Sequence, residues 1–343
     1  MNRPTQVDVA RLAGVSRATV SYVLNGQTEG RVPISEETRQ RVLDAIEELG
    51  YEPDARAQAL RSGNTHTVAL IIPDLRNPHF SEYAIGVEEA ARAAGYHILL
   101  FSSTLNPEYA VEVFKDLARR RFDGLIIATA FILGSPEAQA ILVEIRKRGL
   151  PIVEMSENYG VDSVSAEYHE ATREVMAYLM SLGHRRIGMV YGVGGREHGQ
   201  DRLHPYFESL AAANISIDHD LVAECGPAIE DGYQAAMKLL SQSSRPTALL
   251  AINDLLAISV VRAAADLELR IPDDLSLVGF DNIALSSYLV PRLTTVTKDS
   301  PTLGKKAFEL LLARLQNPDL PRQQVHSPAR LIIRESTGPA PSN

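Results

Sequence analysis

The sequence predicts an α/β protein with a small all-α helix-turn-helix region followed by a larger domain of two lobes, each a doubly wound parallel sheet. Three observations support this prediction. Two short helical segments near the N-terminus meet at a glycine, strand-like and helix-like segments alternate from residue 66 onward, and 343 residues exceed what one hydrophobic core usually holds. With 45% hydrophobic residues, the chain can bury several cores.

The first helix is predicted to begin after Thr5, since Asp8 three residues later completes a start that resembles a capping box. Gly14 ends this helix, because glycine readily adopts the positive φ of a helix C-terminus. Ser16 is a suitable N-cap for a second helix that reaches Asn25. Two short helices joined by a tight turn predict a helix-turn-helix, whose second helix enters the major groove of DNA. An ordinary helical hairpin is the alternative.

A third helix is predicted from about Glu36 to Leu49, capped by Ser35 and ended by Gly50. The DNA-binding domain is therefore expected over residues 1–50. Residues 51–64 form a hinge and linker that is compatible with a helix, although a helix this short is marginal in isolation.

Seven apolar runs in the rest of the chain predict buried strands of parallel sheets. Each run is short and ends at polar or glycine residues, and helical stretches lie between the runs. The runs are TVALIIPDL, YHILLFSS, DGLIIATA, LPIVEMSE, RRIGMVYG, PTALLAIND and LSLVGFDN. Ligands of such sheets bind beyond the carboxyl ends of the strands, so the polar residues at those ends are candidates for a ligand site.

The segment DVARLAGVSRATVSYVLNG resembles the head of the LacI/GalR family, whose usual pattern is D-V-A-x-x-A-G-V-S-x-x-T-V-S-x-V-L-N. The motifs IPDLRNPHF, FDGLIIA, SLGHRRIGMVYG, INDLLAISVVRA, IPDDLSLVGFDN and PRLTTV resemble the family's type I periplasmic-binding-protein-like core. The resemblance implies a repressor that binds operator DNA as a homodimer. Its operator affinity would change when a small-molecule effector, a sugar or related polyol, binds between the lobes.

The resemblance also implies the arrangement of the effector-binding and dimerisation domain, which is expected over residues 65–338. Its first lobe is expected at about 66–161 and 291–322. Its second lobe is expected at about 162–290 and 323–338.

Side chains of the second helix and of the hinge are the expected DNA contacts. Arg17 can form two hydrogen bonds to a guanine, a contact that contributes ~1–3 kcal/mol of base discrimination. Leu60 is expected to wedge into the minor groove, although it could instead pack on a neighbouring side chain. Ser16 could serve only as an N-cap. The full set of expected contacts is Thr5, Ser16, Arg17, Ala18, Thr19, Ser21, Tyr22, Asn25, Ala57 and Leu60.

The expected effector contacts, carried over by position from the family, come from both lobes. They are Asp74, Asn77, His79, Phe80, Glu157, Glu167, Tyr168, Arg196, Arg202, Asn253, Asp254, Phe280, Asp281 and Lys298. Where the family often has Asp-Arg the chain has Ser156-Glu157, which exchanges a cation for an anion and favours a neutral polyol or an amine-bearing ligand. Arg196 and Arg202 weaken that inference. Lys298 stands where Gln is common, and each of these residues could instead cap a loop or pair across the lobes.

Net charge does not identify the head as a DNA-binding domain. The chain has a net charge of −9, and residues 1–62 hold eight arginines against nine carboxylates, a balance of −1. Counterion release would therefore add little affinity. We expect weak non-specific DNA binding and a strong dependence of operator binding on dimerisation and on the hinge.

No enzyme motif competes with this interpretation, although an enzyme or a sugar-binding protein on the same fold is the alternative. The chain holds no P-loop, GxSxG or HExxH, and its near-match to GxGxxG has Glu197 at the last glycine. The single cysteine, Cys225, provides no disulfide or zinc cluster, and His198 and His204 are poorly spaced for a metal, so neither metal nor cofactor is expected. Without a signal-like start or an apolar run of about 18 residues, the protein is expected to be cytoplasmic.

Overall fold

The computed structural model describes residues 4–24, 34–52, 64–103, 106–119, 122–128, 136–155, 160–192, 199–226 and 228–341. The chain divides into two compact units, Met1–Thr65 and His66–Asn343. We call the first unit the head and the second the effector domain.

The described part of the head contains three helices: α1 (Gln6–Ala13), α2 (Arg17–Leu24) and α3 (Glu36–Leu49). At the start of α1, the backbone N of Thr5 donates to Asp8 Oδ2 at 2.9 Å, and hydrogen bonds from Thr5 lower the pKa of Asp8. Gly14 ends α1 with a φ of 65°, which glycine adopts without steric cost. The predicted helix-turn-helix is confirmed.

One small core holds the head together. Val9 of α1, Val20 of α2 and Val42 of α3 are fully buried, and alanines from α1 and α3 pack around them. Val20 is the one fully buried residue of α2, so most of the surface of this helix lies outside the core.

The first lobe of the effector domain is built on a parallel sheet of six described strands. From edge to edge they are β11 (Gln324–Ser327), β5 (Asp162–Ala166), β4 (Ile152–Glu154), β3 (Gly124–Ile127), β1 (Thr67–Ile72) and β2 (His97–Ser102). The surrounding helices are α4 (Pro78–Ala93), α5 (Pro107–Arg119), α6 (Pro136–Lys147) and α11 (Ser300–Gln316). Alternate residues of β1 face opposite cores, since Leu70 packs in one core with Phe308 and Ile71 in the other with Phe114.

The second lobe repeats this plan with one antiparallel edge strand among those described. The order is β12 (Arg330–Ile332), β10 (Thr294–Thr297), β9 (Ser276–Phe280), β8 (Ala248–Ala251), β6 (Ile187–Tyr191) and β7 (Val222–Glu224), and β12 runs against β10. Its helices are α7 (Tyr168–Ser181), α8 (Gln200–Ala212), α9 (Ile229–Leu240) and α10 (Asp254–Asp266), with short 3₁₀ turns at His219–Leu221 and Ala284–Ser287. Leu277 and Val278 of β9 face opposite cores, so both faces of the sheet are covered. The predicted pair of doubly wound sheets is confirmed.

The chain crosses between the lobes at positions that differ from the sequence expectation. Crossings were expected near residues 162, 291 and 323, but β5 belongs to the first sheet, β10 to the second and β11 to the first. The crossings therefore lie after residues 166, 297 and 327. The expected boundaries were carried over from the family resemblance, which placed them only approximately. Asp162 lies in β5, where its buried carboxylate accepts hydrogen bonds from Arg314 Nε at 2.8 Å and Nη2 at 2.9 Å.

Two glycines let α11 lie directly against α4. A methyl group at Gly86 would collide with the carbonyl of Pro301, and one at Gly304 would collide with the carbonyl of Tyr83. This close approach brings the N-terminus of α11 and the crossing after β10 beside the first turn of α4. The functional consequence is a shared cluster of polar side chains between the lobes.

Candidate functional site

Helix α2 presents one exposed face in the head. Arg17 and Ala18 of its first turn are exposed, and Tyr22 one turn later keeps 36% of its surface accessible. Residues four positions apart lie on the same side of a helix, so Ala18 and Tyr22 share one surface, and Arg17 adjoins Ala18 in the first turn. A guanidinium, a methyl group and a phenol on one narrow helix are suited to reading base edges in a major groove.

Ser16 and Thr19 bond to each other at the start of α2. The backbone N of Thr19 donates to Ser16 Oγ at 3.1 Å, and the two hydroxyl oxygens lie 2.9 Å apart. Ser16 therefore acts as an N-cap, the alternative that the sequence left open. Both residues stay accessible enough to meet a phosphate as well, as do Thr5 and Ser21. Three other expected DNA contacts, Asn25, Ala57 and Leu60, lie outside the described residues.

In the effector domain, a cluster of polar side chains from both lobes lies at the carboxyl ends of the strands. We call it the cleft cluster: His79 and Ser300 from the first lobe, Tyr168, Arg202, Phe280 and Asp281 from the second, and Lys298 on the crossing between β10 and α11. Tyr168, Phe280, Asp281, His79, Ser300 and Lys298 are all buried.

Polar contacts join the two lobes across this cluster. His79 Nδ1 lies 2.9 Å from Ser300 Oγ and 3.7 Å from Asp281 Oδ1, and the hydroxyl of Tyr168 donates to the same Asp281 oxygen at 3.4 Å. Asp281 thus faces first-lobe and second-lobe groups at once. A ligand that replaces or bridges these contacts would change how the lobes are held.

Two cations lie over the aromatic rings of the cluster. The guanidinium carbon of Arg202 is 3.7 Å from the centre of the Tyr168 ring and 5.2 Å from that of Phe280. Lys298 Nζ is 4.8 Å from the centre of the Tyr168 ring. Such cation–π contacts hold the guanidinium and the ammonium in place while leaving their N–H groups available to a ligand.

Burial perturbs the ionisation of these groups. The pKa of His79 is held well below its ordinary value by burial first and then by the charges of Lys298 and Arg202, so the imidazole is neutral at pH 7. Burial also lowers the pKa of Lys298 to about 8, and Asp281 opposes that shift. Burial raises the pKa of Asp281, whereas Lys298 and Arg202 lower it. The buried cluster therefore combines two basic side chains, Lys298 and Arg202, with one acidic side chain, Asp281.

The backbone after β9 is strained where it carries Asp281. Asp281 has a φ of 102° and Asn282 a φ of 54°, a region that side chains rarely occupy. The backbone N of Asp281 donates to Val296 O at 2.9 Å, and Arg334 Nη2 donates to Asn282 Oδ1 at 2.6 Å. β10 and the C-terminal segment thus hold the carboxylate in position.

Several expected effector contacts have structural roles within one lobe. Asn77 and Asn253 are helix N-caps, accepting from His79 N at 3.1 Å and Leu256 N at 2.8 Å. Asp74 accepts from Arg76 Nε at 3.0 Å.

Asp254 is fully buried and accepts from Ile283 N at 2.9 Å and from the hydroxyl of Thr295, so it faces away from the cleft. Burial raises its pKa well above the ordinary value. Phe80 meets the edge of the His79 ring, with the two ring centres 4.9 Å apart, and Glu167 is exposed at the first crossing. Glu157 and Arg196 lie outside the described residues.

Sequence reasoning missed two residues of this site. Ser300 follows the Lys298 crossing and heads an apolar helix, a position that indicates a cap but no ligand contact. Arg334 lies in the C-terminal segment HSPARLIIRE, to which the sequence analysis assigns no ligand contact. Among the described residues, no group of histidine, cysteine and carboxylate side chains could hold a metal ion, and no helix has the length and apolarity needed to cross a membrane.

Comparisons with known proteins find similar proteins for both parts of the chain. A model of bacterial regulatory proteins of the lacI family matches residues 5–54, and a model of the periplasmic binding protein-like domain matches residues 176–337. The HTH-type transcriptional regulator DegA of Bacillus subtilis is 33% identical over 98% of this chain and 99% of its own length.

Two solved structures are similar over nearly the whole chain. A lac repressor dimer bound to operator and the anti-inducer ONPF has a TM-score of 0.86 and 27% identity, covering 98% of this chain and 100% of its own. A complex of the transcriptional regulator CelR with cellobiose has a TM-score of 0.71 and 27% identity, covering 97% of this chain and 100% of its own.

Proposed function

The chain belongs to the LacI family of bacterial regulatory proteins, and on that premise we propose that it represses transcription from an operator through an effector-sensitive homodimer. It is a DNA-binding transcriptional regulator and not an enzyme. The finer proposal is that a sugar or related polyol, bound between the lobes, changes its affinity for the operator. The observation that carries the proposal is the pairing of an exposed reader face on α2 with a buried polar cluster that joins two lobes.

The proposed DNA interface is centred on Arg17, Ala18 and Tyr22. Arg17 is proposed to bond to a guanine and Ala18 to pack on a thymine methyl group. Thr5, Ser16, Thr19, Ser21 and Asn25 are proposed to bind phosphates, which position α2 without carrying sequence information. Ala57 and Leu60 are proposed to open a base step in the minor groove, which costs a few kcal/mol and is offset by the contacts that the bent DNA allows.

The proposed effector site is the cleft cluster with its rim. The ring of Phe80 offers a flat apolar face, and Asp281 and Asn253 offer oxygens and an amide to hydroxyl groups, a combination that suits a sugar. The similar regulator CelR was solved with cellobiose, which supports a carbohydrate ligand.

Linkage between the two sites is the proposed mechanism. An effector that binds across His79 and Asp281 contacts both lobes and so favours one arrangement of them. It can shift operator affinity only by its differential affinity for the two states, and the operator must change effector affinity by the same factor.

A homodimer in the cytoplasm is the proposed assembly and location. The edge strand β2 exposes Leu99 and Leu100, and the segment after Ala284–Ser287 exposes Tyr288 at 82% and Val290 at 92%. Apolar side chains with this much exposure on two lobes are typical of a protein interface. The similar lac repressor structure is a dimer bound to operator, which supports the same arrangement here.

Selection of binding sites from a random pool of duplexes tests the proposal. The full chain should enrich one pseudo-palindromic sequence, because two heads related by a two-fold axis read two half-sites. A hundredfold excess of unrelated duplex should not displace the enriched DNA. Failure to enrich any sequence above the unrelated duplex would contradict the proposed function. A thermal-shift screen of sugars and polyols then identifies the effector, since a ligand of the folded state raises the unfolding midpoint.

A further inference from the structure

Lys298 is a buried ammonium that forms no ion pair or hydrogen bond with any side chain in the part of the chain that the structure describes. Only 8% of the residue is exposed, and its Nζ lies over the face of the Tyr168 ring, 4.8 Å from the ring centre. A buried charge without an ionic partner is unfavourable, because the surrounding protein does not replace the water that the charge has lost. A negative group bound beside Lys298 would therefore stabilise the buried ammonium.

Arg202, in the same cluster as Lys298, also has a buried polar group without a partner among the described residues. Its Nε is buried and has no hydrogen-bond partner among the described residues. Its Nη1 donates to Asp201 at 3.1 Å, but 48% of the Asp201 side chain is exposed, so solvent screens that carboxylate. The guanidinium therefore presents a buried N–H group within the same cluster as Lys298.

Within the described residues, the buried groups around these two cations do not balance their charge. Asp281 is the one buried carboxylate of the cleft cluster, and it feels the charges of both Lys298 and Arg202. His79 carries no charge at neutral pH. Two buried cations against one buried anion leave a net positive site, which one further anionic group would neutralise.

Helix N-termini add to the positive potential in the cleft. His79 and Ser300 are in the first turns of α4 and α11, and Tyr168 and Arg202 are in the first turns of α7 and α8. Each of these helices begins at the carboxyl ends of the strands, so its positive dipole end lies on the cleft side. The helix N-termini and the side chains of Lys298 and Arg202 therefore all favour a negatively charged ligand.

We propose that the cleft selects a ligand carrying an anionic oxygen group, a carboxylate or a phosphate, that Lys298 and Arg202 bind together. The inference rests on the proposed function of the cleft as the effector site and narrows the ligand to an acidic or phosphorylated polyol. Ser156-Glu157, by contrast, favoured a neutral or amine-bearing ligand in the sequence analysis. Because Lys298 lies on a crossing between the lobes and Arg202 in the second lobe, the anion would bind where the lobes join.

Thermal unfolding with inorganic phosphate and with acetate, each compared with sodium chloride at the same ionic strength, tests this proposal on the full chain without DNA. Phosphate or acetate should raise the midpoint of the wild type with saturation in the millimolar range. The anion that acts at the lower concentration identifies which of the two oxygen groups the site prefers. A wild-type midpoint that responds to neither anion beyond chloride overturns the proposal.

Three variants assign the response to Lys298. Lys298→Gln, which introduces the residue common in the family, should weaken the response about tenfold or more, the scale of a lost hydrogen bond to a charged group. Lys298→Arg should retain it, and Lys305→Gln, on an exposed and ion-paired position of α11, should leave it unchanged. An equal response in wild type and Lys298→Gln overturns the proposal. The anion-free midpoint of each variant shows whether it is folded.

Operator binding by the same proteins separates this inference from the proposed function. Wild type and Lys305→Gln should both bind the enriched operator, since Lys305 lies outside the head and outside the cleft cluster. A Lys298-dependent anion response in a protein that enriches no operator would refute the proposed function alone. Operator binding without that response would refute the anion site alone.

Discussion

The head and the cleft differ in how the chain encodes them. In the head, every side chain of the α2 reader face comes from one run of six residues, and the turn before it is made by Gly14 and Ser16. In the cleft, Lys298 and Arg202 lie 96 positions apart in sequence and meet His79 from a third segment. A site made by one helix depends on local capping and one small core, whereas a site made by crossings depends on how two sheets are joined.

The largest expected effect separates the stability of the two regions. Val20→Asp should unfold the head, because an unpaired charge in its single core destabilises by more than about 4 kcal/mol. Limited proteolysis should then cleave within residues 1–65, while calorimetry shows an unchanged transition for the effector domain. Val7→Asp, at a position that is 48% exposed, is the control and should leave the head resistant. Loss of the effector-domain transition in Val20→Asp would show that the regions fold as one unit.

A second large effect should be confined to the effector domain. Asp162→Ala leaves the Arg314 guanidinium, 16% exposed, without its buried partner. We expect a loss of roughly 3–5 kcal/mol in the free energy of unfolding, measured with urea. Glu144→Ala, which breaks an exposed pair with Arg148, should change it by less than about 1 kcal/mol. Equal losses in the two variants would contradict the role of Asp162 in holding β5 in the first sheet.

Much of the head could be predicted from the sequence, and the comparison explains why. Thr5, Gly14, Ser16 and Gly50 act on neighbours within a few residues, so their effects are visible in a short window. The lobe crossings were expected from the family resemblance, which did not locate the ends of β5, β10 and β11. In β5, the buried carboxylate of Asp162 binds Arg314, which is 152 positions away. No local pattern reveals that a distant cation neutralises a carboxylate.

The cleft shows the same limit in its chemistry. The family resemblance predicted Tyr168, Arg202, Phe280, Asp281 and Lys298 as ligand contacts from their positions in the sequence. The structure brings these five residues together. Sequence position could not show which polar groups already form hydrogen bonds within the protein.

Asp254 illustrates the difference. It follows a strand as a ligand contact should, yet its carboxylate is used by Thr295 and Ile283 within the second lobe. Hydrogen-bond partners, rather than placement along the chain, decide which side chains remain available to a ligand.

The ionisation of Lys298 should make the stability of the effector domain depend on pH in a way that the head does not share. Its pKa of about 8 in the folded protein lies below the ordinary value of 10.5, so folding releases a proton between these values. Stability should therefore rise with pH from about 8 to 10.5, by up to roughly 3 kcal/mol more in wild type than in Lys298→Met. Urea unfolding at several pH values measures this difference.

The groups facing Lys298 are the same in wild type and in Lys298→Met, so the difference between the two proteins isolates the titration of Lys298. Burial raises the pKa of Tyr168 well above its ordinary value and keeps His79 neutral throughout, while Asp281 and Arg202 stay charged. Phosphate affinity should fall as pH rises through 8, because the ammonium that binds the anion is lost. A phosphate affinity that increases above pH 8 would contradict the role of Lys298.

The smallest expected effect resolves the two roles of Ser16. Ser16→Ala removes the N-cap of α2 and should cost about 1 kcal/mol of head stability. Ser16→Asp keeps a capping oxygen but places a negative charge near DNA phosphates. If Ser16 also meets a phosphate, Ser16→Asp should keep the protease resistance of the wild-type head and still bind the operator at least tenfold more weakly. Unchanged operator binding in Ser16→Asp would leave Ser16 with the capping role alone.

The most direct test of the account is the dissociation constant for the enriched operator, measured by fluorescence anisotropy at one fixed salt concentration. Arg17→Ala should weaken binding by about thirtyfold or more, because a lost guanine contact costs ~1–3 kcal/mol in each of the two heads, which is ~2–6 kcal/mol in all. Arg39→Ala, an exposed arginine of α3 that pairs with Glu36, should change it by less than about threefold. An Arg17→Ala protein that binds the operator as tightly as wild type would contradict the assignment of α2 as the reader helix.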